Sequence, residues 1–155
     1  MKKIRNMRKR TGFTLVELLI VIIIIGILAG SMMLVAGSGT DRAEATKIIS
    51  DLRSLKGAAL MHYADSATGG WPTAIGDLVD YMDRTVSSDK FYIKSKDSTG
   101  VFVGYGEITA QGVIDALSKS AAQAGLWGTT GESAPDSGDV DKAGKYVWMI
   151  LTRGK

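Results

Sequence analysis

Among the 155 residues there is no cysteine, which excludes a disulfide framework, a thiolate metal site and a cysteine nucleophile. The compartment stays open, because exported proteins can do without bridges. Histidine occurs once, as His62. No serine, aspartate or glutamate stands with it in a recognisable catalytic pattern, so it is assigned packing or surface rather than chemistry. Of the two prolines, none precedes Pro72. No nucleophile–base set, phosphate loop or zinc spacing is present, and no internal repeat is visible. An enzyme is therefore not expected.

Acidic residues are also missing from the first twelve positions. Six of the 19 basic residues (Lys2, Lys3, Arg5, Arg8, Lys9, Arg10) precede Gly12, whereas all 16 acidic residues follow it. The formal net charge of +3 thus hides a body, residues 13–155, with thirteen basic against sixteen acidic groups. Such a body repels phosphate weakly, so no nucleic-acid partner is expected. The length leaves room for one modest domain and one membrane segment.

That segment is Phe13–Ala36, FTLVELLIVIIIIGILAGSMMLVA, in which Glu17 is the only charge. A helix of this length spans roughly 36 Å, enough to cross a bilayer. The apolar core of a secretory signal is shorter, about 7–15 residues. The basic tract stays cytoplasmic and everything after about residue 37 lies outside. A carboxylate in a spanning helix costs about 2.5–3.5 kcal/mol at the centre and less near an end. Simple tolerance near the headgroups is the plain reading of Glu17. The alternative lies in its neighbours: a cut between Gly12 and Phe13 would create an α-amino group one helical turn from Glu17 and at the same depth.

The stretch KRTGFTLVELLIVIIIIGILA resembles the type III signal of type IV pilins and type II secretion pseudopilins: a short basic leader ending in Gly, then Phe, then Glu at the fifth mature position of an apolar helix. The resemblance implies that a prepilin peptidase removes residues 1–12 and methylates the Phe13 amine. It implies that Glu17 neutralises the N-terminus of a neighbouring subunit, with a membrane-embedded assembly platform as a further partner. Two desolvated opposite charges at matched depth would fix one axial offset between helices that aliphatic surface alone would let slide. Gly26 and Gly30 form a small-xxx-small pair that would let helices approach closely, although glycine is common in spanning helices. Leu34 stands where many family members carry a helix-bending proline. Gly37-Ser38-Gly39 is the substitute weak point, at about 1 kcal/mol per glycine relative to alanine.

Beyond it, Asp41–Ala64 reads as helix, with Ala45, Ile48, Leu52, Leu55, Ala59 and Tyr63 on one face and Arg42, Glu44, Lys47, Asp51 and Arg53 on a solvated one. SATGGWP (66–72) breaks it. Thr73 then caps a short helix whose Ile75, Leu78, Val79 and Met82 share a face, with Trp71 packed beneath. Lys90–Ser95 and Val101–Tyr105 alternate as two strands about a polar loop. Thr109 opens a helix that presents Val113, Ile114, Leu117 and Ala121 to a core and stops at Gly125, with Leu126 as its C-cap contact. Lys145–Thr152 is apolar on both faces, hence a covered third strand.

The predicted fold class is α+β: a long N-terminal helix packed on an antiparallel sheet of about three strands, the shape that pilins have. The expected divisions are a cleaved leader (1–12), a transmembrane and assembly helix (13–36), the amphipathic second half of the helix (37–65) and a head (66–155). The loop 128–144 concentrates oxygen ligands, and some major pseudopilins are similar in carrying a calcium loop before the last strand. Asp136, Asp139 and Asp141 are the candidate ligands for calcium, although their order does not fit an EF-hand; a merely solvated loop is the alternative, with no cofactor. The leading expectation is a structural subunit of an extracellular type IV pilus, self-associated into a helical filament. The precursor would sit in the inner membrane with its N-terminus in the cytoplasm. The rivals are a pseudopilin whose periplasmic pseudopilus drives protein export, and a membrane-tethered binding module.

Overall fold

The computed structural model describes residues 12–67, 69–84, 86–96 and 100–152, without the side chains of 33–38 and 137. The leader up to residue 11 and the tip of the expected hairpin (97–99) lie outside the described residues. The chain divides into two compact units, 1–37 and 38–155. Helix α1 (Leu15–Asp65) gives its first part to one and its second part to the other, and helical backbone runs through Gly37, Ser38 and Gly39.

In the second unit a 3-10 helix (Ile75–Tyr81) is followed by β1 (Phe91–Lys96), β2 (Gly100–Tyr105), α2 (Gln111–Ala124), β3 (Leu126–Thr129) and β4 (Tyr146–Thr152). The strands form one antiparallel sheet in the order β1-β2-β4-β3. The α+β class stands, with four strands rather than three. The extra one is β3, where the chain turns directly from helix into strand. Gly125 ends α2 in the left-handed region (φ 67°), where a side chain is disfavoured. Leu126, expected as a C-cap contact, is instead the first residue of β3. Four residues are too short for a periodicity signal; pairing along β4 and a bridge from Trp127 to Val140 define the strand.

Both sheet faces are covered. Odd-numbered residues Val103, Val147, Met149 and Leu151 join Ala45, Ile48, Leu52, Leu55 and Ala59 of α1 and Val113, Leu117 and Ala121 of α2 in the main core. Each fully buried leucine there contributes about 1.5–3 kcal/mol. Even-numbered Phe102, Tyr146 and Trp148 form a second, aromatic core with Tyr92, Trp127 and Ala134. The β3–β4 segment crosses this face as a strap: Lys94 of β1 pairs with Glu132 at 2.8 Å, Lys96 pairs with Asp136, and Pro135 is buried. Hence β4 is a covered strand.

Four further expectations change. Thr73 is not the N-cap of the 3-10 helix. Ala74 occupies that position, and Asp77 reaches back to accept from the N–H groups of Thr73 (2.9 Å) and Ala74 (3.0 Å). Val79 is 57% exposed, because three residues per turn align Ile75 with Leu78 rather than with Val79. Asp51 leaves the solvated face: it is buried and paired with Arg84, at the end of α1's apolar stripe nearest β1. Tyr63, at the end of that stripe, is 41% exposed and stacks on Trp71 at 4.5 Å.

Candidate assembly site

The first part of α1 starts at a reciprocal cap. The Thr14 hydroxyl accepts from the Glu17 N–H at 3.2 Å, while Glu17 Oε2 accepts from the Thr14 N–H (2.9 Å) and from the Thr14 hydroxyl (2.7 Å). This Thr-x-x-Glu arrangement satisfies backbone donors that a helix N-terminus leaves without partners. The signature is legible in TLVE, yet the readings of Glu17 from sequence, tolerance near the headgroups or pairing with a new amine, did not include it. The cap gives Glu17 an internal role as well. It leaves Oε1 as the open acceptor among the described residues. Gly12 and Phe13 precede the helix, and Phe13 is 85% exposed.

From Leu15 to Met32 the mean hydropathy is 2.7 and nothing is buried, so the helix is long and apolar enough to cross a membrane. Ile22, Ile23, Ile24 and Ile25 are all exposed by half or more. At about 1.5–3 kcal/mol for each large aliphatic side chain taken from water, this surface requires lipid or other helices. Gly26 and Gly30 are bare: a Cβ built on either meets nothing within 4 Å.

In the second unit, the calcium candidates point to other partners. Asp136 holds the Lys96 ammonium, its N–H donates to Asp139 Oδ2 at 2.8 Å, and Lys142 donates to the Gly138 carbonyl. Asp141 takes φ 56° and its N–H donates to the Leu126 carbonyl. No three His, Cys, Asp or Glu among the described residues converge on a metal position. In this arrangement the Asp136 carboxylate is taken by an ammonium group, which a divalent ion there would have to displace. His62 packs edge-on against Tyr81 at 5.7 Å, and its buried Nδ1 has no hydrogen-bond partner among the described residues.

A capped apolar helix ahead of an α+β head defines a pilin-like, membrane-anchored class. Residues 7–33 match the family model of the prokaryotic N-terminal methylation motif. The chain is 36% identical over 61 residues to the type II secretion system core protein G of Klebsiella pneumoniae, covering 39% of this chain and 44% of that protein. It is 35% identical over 69 residues to the core protein G of Vibrio cholerae, covering 44% and 46%. The matches thus span less than half the length of these relatives. No solved structure matches. Over these shared stretches the chain is similar to the prepilin-type methylation motif and to type II secretion core G proteins.

Proposed function

We propose that this protein is a pseudopilin, a structural subunit that self-associates through its apolar helix into the pseudopilus of a type II secretion system. The observation that supports this most is the similarity to two core G proteins of such systems, which favours the pseudopilus over the extracellular pilus that the sequence alone put first. A prepilin peptidase would cut between Gly12 and Phe13 and methylate the new amine, and an assembly platform in the inner membrane would then extract the subunit. Glu17 would meet that amine on a neighbouring subunit through Oε1 while Oε2 keeps its cap on Thr14. Holding a carboxylate with several donors lowers the penalty of placing it at the edge of hydrocarbon. Extraction of helices from lipid would be offset by packing them against one another at Gly26 and Gly30.

The test is made on mature protein from the producing cells. Its intact mass should correspond to residues 13–155 plus one methyl group. Deleting the gene should block export of the system's folded substrates, and a Glu17→Leu variant should fail to restore it. A chain that retains Met1, or a Glu17→Leu variant that assembles and exports normally, would refute the reading. Long sheared surface filaments with unimpaired export would restore the pilus.

A further inference from the structure

Helix α1 has two flanks in residues 38–155, and they differ in charge. At 100° per residue, Arg42 and Arg53 lie within about 20° of each other, whereas Asp51 lies about 180° from Arg42. The arginine flank faces α2 across a groove of about 550 Å³, continued by a second hollow of about 270 Å³. Half-buried Ile49 belongs to both, and Arg42, Arg53 and Lys119 border them; no lining residue is acidic. Of the carboxylates beside the groove, Asp41 is turned against Gly112 at the start of α2, and Asp115, one turn before Lys119, accepts from the Gln111 side chain at 2.9 Å. Arg42, Arg53 and Lys119 form no ion pair among the described residues. Three unpaired cations around a partly apolar trough are a surface prepared for an acidic, partly apolar partner.

The opposite flank carries a complementary shape. Asp51 and His62 lie there and hold the 3-10 helix segment through Arg84 and Tyr81. With Ile75 and Leu78 turned into the core, the three-residue period leaves Asp77 and Asp80 in line on one exposed ridge, with exposed Val79 on the adjacent one. Neither carboxylate is in an ion pair among the described residues.

We infer that the α1–α2 groove of one copy receives the Asp77–Asp80 segment of the next copy, the carboxylates meeting Arg42, Arg53 and Lys119 and Val79 meeting Ile49. The inference rests on the self-association proposed above and supplies its contact between heads. Donor and acceptor surfaces lie on opposite flanks of α1, so the contact is head-to-tail. Every added copy presents a fresh groove or a fresh acidic segment, which produces an open helical series rather than a closed pair.

The test uses the full chain in assembling cells and exploits its lack of cysteine. A Lys119→Cys, Asp80→Cys double variant under mild oxidation should give a disulfide-linked ladder of dimers, trimers and higher species, absent from either single variant. Arg53→Glu and Asp80→Lys should each lower filament yield by about tenfold or more, and combining them should restore much of it. Wild-type yields in both reversal variants together with no ladder, a cross-link that stops at dimers, or a combined variant without rescue overturns the inference while self-association stands. If the unaltered chain forms no filament, both fall.

Discussion

Gly104 of β2 lies directly opposite Trp148 of β4, and a Cβ placed on Gly104 would sit 2.1 Å from the indole Cε3. The absence of a side chain at 104 is what lets the fully buried indole lie flat over the strand and donate to the Thr129 hydroxyl at 2.9 Å. Gly104→Ala should therefore destabilise the head by about 1–3 kcal/mol through overpacking. Adding Trp148→Leu should make the alanine cost smaller than it is in the parent, because the methyl then enters space the ring has left. Denaturant unfolding of the four proteins measures this. Equal alanine costs in both backgrounds would show that the close approach is unimportant.

Removing the cation from the Asp51–Arg84 pair leaves a carboxylate on a residue that is only 8% exposed. Arg84→Met should cost about 1–3 kcal/mol, towards the lower figure because the arginine side chain is 47% exposed and solvent screens the pair. The double variant Asp51→Asn, Arg84→Met should cost less than the sum of the two singles. A thermodynamic cycle from urea unfolding measures the coupling, and strict additivity would be the contrary result.

Acid stability carries a local signature. The N–H groups of Ala74 and Thr73 hold the Asp77 carboxyl below its ordinary value of 3.8. A depressed carboxylate stabilises the fold above its unfolded value, and that contribution is lost as pH falls through the folded one. Below about pH 4 the wild type should lose this increment. Asp77→Ala should lack it at neutral pH, so that the two stability curves converge on acidification. Thermal unfolding from pH 7 to pH 3 would reveal convergence or parallel curves.

For the strap, a divalent ion at Asp136 would have to displace the Lys96 ammonium. Unfolding midpoints should therefore coincide in calcium and in chelator. Lys94→Gln with Lys96→Gln should lower the midpoint by an amount corresponding to roughly 1 kcal/mol, since both pairs are largely exposed. A midpoint that rises in calcium would show that the loop rearranges to bind it.

Sequence made the long-range elements legible where one period persists. The buried stripe Ala45, Ile48, Leu52, Leu55, Ala59 and the β1–β2 pair follow from it, and β4 follows from its β-branched and aromatic run. Features set by position in the assembled fold were opaque. β3 is defined by its neighbour, and Asp51 reads as surface until Arg84 is brought to it from a distant segment. The second aromatic core was half visible, since β4 is apolar on both faces, yet nothing in a polar glycine-rich loop announces that Ala134 will pack against it. At the candidate assembly site, Glu17 stood out because a charge in an apolar run demands a reason, and its cap on Thr14 was written in TLVE but overshadowed by that question. The α1–α2 groove was not legible, because helices far apart in sequence line it.

The sheet order has a temporal meaning. β1–β2 on one side and β3 on the other are hydrogen-bonded into one sheet only through β4, which follows them all in the chain. As the chain is made from its N-terminus onward, the head exists as a hairpin and a helix with a loose strand until Tyr146–Thr152 is added and joins them. The newly made head therefore stays unfinished until that late stretch arrives, a built-in delay before its surface is complete.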